Sequence, residues 1–377
     1  MTRALKVLHI ISGDLWAGAE VQACTLISEL VRMPDTEVAA VVMNEGTLAD
    51  QLCALAIRVE VMDERKLGPL QIGLGLRRLL KSWRPDVIHT HREKENILGM
   101  LANRASRNVP SVRTMHGGNE HRRAAGWRGI RHAVVRELDL WCGRASQQRV
   151  IAVSQDLGIK LARDFSADRI VLIENGVAAE AVRAARNVAE FRSADPNSTH
   201  IGIVGRLVSV KRVDMFLETA AYLRRQYPTH SWRFHVFGDG PLRSDLEALS
   251  KSLRISEVVT FHGHRPDIAT CIGGLDALVI CSDHEGMPMT ALEAAALEVP
   301  VVAHAVGGLV DIVPEALLVA RHESEGYAEA ILRAIGDEGR SIARSRATET
   351  LLRFSAKGNA QKVRAVYEQL VAPRDDA

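Results

Sequence analysis

The strongest constraint on the fold is a rhythm. Short, nearly continuous apolar runs alternate with amphipathic helical patterns. KVLHIIS (6–12), EVAAVVM (37–43), VIHTH (87–91), SVRTMHG (111–117) and RVIAVS (149–154) read as buried strands. Helical patterns lie between them, as at 20–32 (EVQACTLISELVR) and 74–83. Strands apolar on both sides, joined by helical crossovers, imply a parallel sheet covered on both faces. From Ile170 to His200 the rhythm breaks, and Asn175-Gly176 and Asp195-Pro196-Asn197-Ser198 signal turns. The interdomain linker is expected there. The rhythm then restarts with IGIVGR, RFHVFGDG, VVTFHG, ALVICS and VPVVAHA. Two doubly wound α/β domains are therefore expected, 1–180 and 181–356. The last helical pattern, within 357–377, is expected to pack back on the first domain.

Composition narrows the class. A chain of 377 residues is too long for one compact core. Its 48 Lys+Arg nearly balance 46 Asp+Glu, which argues against a nucleic-acid partner. The 5 cysteines are scattered and odd in number, which disfavours a disulfide framework or a zinc site. No apolar run is long enough for a membrane span, and MTRALKVLHIIS enters a strand pattern without a leader-like cleavage site. A cytoplasmic protein is expected. Charge is uneven locally: between His121 and Arg149 lie Arg122, Arg123, Arg128, Arg131, Arg136, Arg144 and Arg149 against Glu137 and Asp139. With Trp127 and Trp141 nearby, Arg122, Arg123, Arg128, Arg131 and Arg136 suit anionic lipid headgroups at the inner face of the cytoplasmic membrane. A solvated basic helix face is the competing reading.

The stretch HEGMPMTALE (284–293) carries Glu285 and Glu293. Pro288 suits the first turn of a helix and not its interior, so a helix is predicted to start there and run through TALEAAAL. Eight helical residues span roughly 12 Å. A glycosidase carboxylate pair needs about 5–9.5 Å. The two acids are thus poorly spaced for one bond. Between them lies a helix N-terminus, whose free N–H groups suit phosphate. An elongated ligand with a central diphosphate and hydroxyls at both ends fits, because carboxylates are pure acceptors. Solvated charges at a helix start are the plain alternative.

Other strand ends carry compatible groups. IGIVGRLVSVK (201–211) places Gly205, Arg206 and Lys211 after a strand, where doubly wound sheets bind ligands. Arg206 and Lys211 are suited to phosphates, although surface cations are the commoner fate of such residues. The loop GDLWAGAE brings Gly13 and Gly18, without the spacing of a nicotinamide fingerprint. His89, His91 and His116 also stand at strand ends. HTH and HGH resemble metal spacings only superficially, and no further ligands are evident, so no metal is expected.

Taken together, GRL-x3-K at 205–211 and E-x7-E at 285–293 resemble glycosyltransferase family 4, or glycosyl transferases group 1. WAGAEVQ, AVSQ, IENGV, FHGHRPDI, EGMPMTALEAAA and PVVAHAVGGLVDIV continue the likeness in order. The resemblance implies the GT-B fold: two facing Rossmann-like α/β domains with a donor/acceptor cleft between them. It implies that Arg206 and Lys211 bind the donor diphosphate, that Glu285 holds sugar hydroxyls and that Glu293 binds ribose. Backbone around Gly286, Met287, Pro288, Met289 and Thr290 would assist, and Gly18 and Gly205 would approach the phosphates. His116 matches a histidine near the transferred sugar. Met287, Met289, Glu298 and His304 depart from the usual pattern and weaken any inference about the sugar.

The expectation is a retaining, metal-independent hexosyltransferase-type enzyme needing no cofactor. It would move a sugar from a nucleotide diphosphate sugar to a glycan or lipid-linked acceptor. Bacterial surface polysaccharide, exopolysaccharide or lipopolysaccharide, is the pathway that the resemblance suggests. The alternatives are a non-catalytic nucleotide-sugar-binding partner subunit and an epimerase or phosphorylase on the same fold.

Overall fold

The computed structural model describes residues 3–117 and 127–372. The chain forms two compact units. One runs to Gly176 and regains the chain from Ala356; the other is Val177–Ser355.

The first unit holds a seven-stranded parallel sheet of β1 (Leu5–Ile11), β2 (Thr36–Val42), β3 (Arg58–Val61), β4 (Val87–Thr90), β5 (Ser111–Met115), β6 (Arg149–Ala152) and β7 (Ile170–Leu172). The order is β3-β2-β1-β4-β5-β6-β7. Val7, Val38, Val42, Val87, Val112 and Ile151 point into one apolar layer, while Leu8, Ile10, Val41 and Ile88 point into another. Period-2 strands that feed cores on both faces need apolar residues at nearly every position, which is why these runs are continuous.

The second unit holds a six-stranded sheet of β8 (Thr199–Val204), β9 (Trp232–Phe237), β10 (Val259–Gly263), β11 (Ala277–Ile280), β12 (Val301–His304) and β13 (Leu318–Val319), ordered β10-β9-β8-β11-β12-β13. Its named strand pairs are also parallel. In each sheet the order reverses beside the first strand, between β1 and β4 and between β8 and β11. Such a switch point opens a crevice at the carboxyl ends of the strands.

The expected linker at 170–200 needs correction. Ile170–Leu172 is the edge strand β7, paired with β6. Short helices, Ala179–Ala184 and Glu190–Ala194, follow within the second unit. The turn Asn175-Gly176 marks the change of unit, four residues before the expected boundary at 180. The final helix, Ala356–Val371, packs on the first unit. Val363, Val366 and Tyr367 are buried in its core, each worth about 1.5–3 kcal/mol relative to exposure. Asn359 also donates to the Glu174 carbonyl at 2.6 Å. Among the described residues, no helix is long and apolar enough to cross a membrane.

Candidate functional site

At the switch point of the second sheet, the loop after β8 meets the loop after β11. The first carries Gly205, Arg206 and a single turn, Ser209–Lys211. The second runs from Cys281 to Pro288. Asp283 N–H donates to the Val210 carbonyl at 2.8 Å and ties the two together. Across this join, Lys211 Nζ lies 2.7 Å from Glu285 Oε1, which also accepts from Ser282 Oγ at 2.6 Å. The Lys211 and Glu285 side chains are mostly covered, at 23% and 10% exposure. Partial burial makes a charged pair more rigid than a surface one. Arg206 is exposed. A cavity lined by Gly205, Leu207, Lys211 and Ser282 lies beside the pair.

Backbone packing holds the carboxylate loop. Gly307 has φ +54°, and a Cβ there would sit 1.9 Å from the Glu285 carbonyl oxygen. Only glycine combines that backbone with so close an approach. Gly308 N–H then donates to the Gly286 carbonyl at 2.7 Å. His304 Nδ1 bonds the Ser282 carbonyl at 3.0 Å, so this departure from the family pattern braces the same loop.

The predicted helix is Met289–Ala296, with Pro288 as its N-cap. Met287 and Met289 turn into the core, at 3% and 5% exposure. Thr290 is half-buried on the first turn. Glu293 sits within the helix at 8% exposure, and burial pushes its carboxyl up to about 7. A buried acid without a cation partner among the described residues is suited to hydroxyl donors.

The first unit has its own constellation, where β1, β4 and β5 end. His9 on β1 and His89 on β4 are register neighbours, and His91 is two residues further on. His9 Nδ1 contacts His91 Nε2 at 3.2 Å, and His91 Nδ1 contacts His116 Nε2 at 3.2 Å. His89 is bonded separately, to Tyr367 Oη at 2.5 Å and Thr114 Oγ1 at 2.8 Å. Burial holds His9 and His116 down to about 3 and His91 well below its usual range, so all are neutral imidazoles. Sequence reading found no third partner for the HTH pair, yet the fold supplies one. Nitrogens of His9, His89 and His91 lie within 4.8 Å of one another. A metal there would have to displace hydrogen bonds that already use both ring nitrogens of His89 and of His91.

Gly18 opens the helix Gly18–Val31 after β1. Two residues on, Glu20 is fully buried with Arg92 Nη2 2.6 Å away, and burial pushes its carboxyl up to about 7. Glu95 is equally buried and likewise raised to about 7. Neither acid was singled out from the sequence. Glu20 is the one acid in the first turn of its helix and Glu95 shares its first turn with Glu93; only burial distinguishes them from solvated charges. Of the basic stretch, Arg122 and Arg123 lie outside the described residues, as do the side chains of Arg128 and Arg131. Arg136 is exposed and pairs with Glu137.

The sequence pattern of Glycosyltransferase Family 4 matches residues 16–181, and that of Glycosyl transferases group 1 matches 198–337. The chain belongs to glycosyltransferase family 4. The transferase is 25% identical over 312 residues to the UDP-Gal:alpha-D-GlcNAc-diphosphoundecaprenol alpha-1,3-galactosyltransferase of Escherichia coli, covering 79% of each chain. It is 31% identical over 274 residues to the D-inositol 3-phosphate glycosyltransferase of Nocardia farcinica, covering 68% of this chain and 60% of the relative. Its match to the enzyme of that name from Corynebacterium urealyticum spans 43% of that relative. The solved structure of Anabaena HepE in complex with UDP-glucose shares the fold, with a TM-score of 0.81 at 20% identity over 97% of this chain and 100% of that one. The two parallel-sheet α/β units are thus those of the GT-B glycosyltransferases.

Proposed function

We propose that this transferase moves a sugar from a nucleoside diphosphate donor to a hydroxyl of a glycan or lipid-linked acceptor, with retention at the anomeric carbon. The observation that carries this is the Lys211–Glu285 contact beside the N-terminus of the helix Met289–Ala296. It sets a phosphate-binding cation against a hydroxyl-binding carboxylate, at the switch point where ligands of such sheets bind. Lys211 and Arg206 stabilise the charge that develops on the departing diphosphate, as fixed electrostatic donors. Glu285 accepts from donor-sugar hydroxyls, and Glu293 accepts from the ribose. His116 bonds an oxygen of the transferred sugar. Charge supplied by Lys211, Arg206 and the helix terminus does the work a metal does elsewhere, so the reaction is proposed to be metal-independent. The names of the Escherichia coli and Anabaena relatives support a nucleotide-sugar donor, and the first supports a lipid-linked acceptor. Bacterial surface polysaccharide synthesis in the cytoplasm is the matching pathway.

Membrane contact belongs to the same proposal. On the helix Trp127–Ser146, Ile130, Val134, Leu138 and Trp141 are exposed. Their spacing places them on one face. An exposed apolar stripe in an arginine-rich helix suits the interface of an anionic bilayer.

The deciding experiment is thermal stabilisation by a panel of UDP-, GDP- and ADP-sugars in the presence of a chelator. One donor is expected to stabilise the fold, by about 2.7 kcal/mol at 100 times its dissociation constant. The effect should disappear in Glu293→Ala. Silence across the panel in folded protein would overturn the donor assignment.

A further inference from the structure

The histidines of the first unit form a directed hydrogen-bond file, and counting its protons leads beyond the role proposed for His116. Three neutral rings, His9, His91 and His116, carry three N–H protons. Two of these occupy the His9–His91 and His91–His116 contacts, both 3.2 Å. The third must sit at one end, because each contact needs one donor and one acceptor. The ends are His9 Nε2 and His116 Nδ1, and both are buried without a hydrogen-bond partner among the described residues. Only two arrangements satisfy the file. Either every ring carries its proton on Nδ1, which makes His116 a donor, or every ring carries it on Nε2, which strands an N–H at His9.

These arrangements are not equivalent. His9 is fully buried in the middle of β1, between β2 and β4. An N–H stranded there loses its hydrogen bonds to water and gains nothing. Among buried backbone groups an orphaned N–H is rarer than an under-used acceptor, and the same preference is expected of ring nitrogens. His116 lies just past the end of β5 and is only half-buried, so an N–H on its Nδ1, although unpartnered in the free chain, can meet a ligand, whereas one on His9 cannot. We infer that His9 and His91 are positioning residues that fix the tautomer of His116, so that its Nδ1 carries a proton and donates to an oxygen of the bound sugar. His116 thus acts as a hydrogen-bond donor and not as a base. The inference rests on the proposed sugar contact of His116 only for its catalytic consequence; the tautomer is set by the chain itself.

The test is long-range 15N NMR of histidine-labelled, ligand-free full chain, with His116 assigned by the signals lost in His116→Gln. The expected spectrum has a protonated Nδ1 and a pyridine-type Nε2 at His116. A protonated Nε2 there overturns the inference. His91→Phe removes the partner of His116 Nε2 and should then release the lock, so that both tautomers of His116 appear. It should lower kcat about tenfold while donor-induced stabilisation is unchanged. An unaltered His116 spectrum in that variant also overturns the relay. His91 is deeply buried, and should His91→Phe fail to fold, the wild-type spectrum decides alone. Because that spectrum needs no substrate, a chain that transfers no sugar would sink the transferase reading and leave this test intact.

Discussion

Each unit threads histidines across neighbouring strands, and the two files end differently. In the second unit His200 Nδ1 meets His235 Nε2 at 2.9 Å, and His235 Nδ1 meets His262 Nε2 at 2.9 Å. That file is anchored, because His200 Nε2 lies 2.7 Å from the Asp195 carbonyl. A carbonyl only accepts, so His200 must carry its proton on Nε2, and His235 and His262 follow. Among the described residues, the file in the first unit has no such anchor at either end. Its polarity rests on which end better tolerates an unmatched group, and a ligand can act on it. The same motif is therefore structural in one unit and responsive in the other. The decisive feature is one backbone carbonyl, not the histidines themselves.

The largest expected effect would confirm that chemistry in the second unit belongs to its loops and not to its histidine file. Lys211→Ala removes the cation proposed to face the leaving group. It should lower kcat by about 10²–10³, the usual loss for one fixed electrostatic donor. A loss below tenfold in single-turnover transfer assays would refute its assignment. Next in size, His116→Ala should lower kcat by about 10-fold, the scale of one lost hydrogen bond. His262→Gln, at the far end of the anchored file, should leave kcat within about twofold. Equal losses in both variants would erase the contrast between the files.

A third expectation uses the buried acids. Burial raises Glu293 from 4.5 to about 7. The folded state therefore keeps a proton that the unfolded chain releases above about pH 4.5. Stability from this group is present below that pH, falls as pH rises to about 7, and is flat beyond. Glu293→Gln should thus stabilise the fold at pH 8, by at most about 3 kcal/mol, and leave it unchanged at pH 4. Donor binding should show the opposite slope. An ionised Glu293 accepts hydroxyl donors better, so donor affinity should rise about tenfold from pH 6 to pH 8 in wild type and stay flat in Glu293→Gln. Calorimetric titration at the two pH values checks this, and equal slopes in the two proteins would remove Glu293 from the donor site. Glu20 and Glu95 also rise to about 7, in the first unit. Their replacement should change stability with pH in the same direction without altering donor affinity.

Much of this was legible in the sequence, for identifiable reasons. Strands buried on both faces must be continuously apolar, so β1, β2, β5, β6 and β9 were visible as runs. Pro288 fixed a helix start because its ring excludes the helix interior. Edge strands give weaker signals: Arg58–Val61 is half polar, and Ile170–Leu172 reads as linker because it is short and pairs on one side only. The contact of Lys211 with Glu285 joins positions 74 apart in the chain. Each residue type was readable, but their distance depends on how β8 and β11 pair. His9 was least legible. It is the one polar residue inside the apolar stretch VLHII, and its partners are named only by the register of β1 against β4. A single buried polar residue inside such a run is nonetheless a signal, because burying it demands a partner.

The smallest effect concerns surfaces, and it again sets one unit against the other. The first unit exposes Ile130, Val134, Leu138 and Trp141 along one helix, and the arginines around them supply charge that a bilayer surface attracts. Binding of this kind adds a modest apolar term to an electrostatic one, so single losses are partial. Ile130→Ser combined with Trp141→Ser should reduce co-sedimentation with vesicles containing anionic lipid by about two- to fivefold. Raising the salt should weaken wild-type binding as well, since the charge term is screened. Transfer to a soluble acceptor should be unaffected, because neither residue touches the proposed sites. Binding that ignores lipid charge, or that survives the double change, would assign the basic stretch to solvation and leave the apolar stripe without a membrane role.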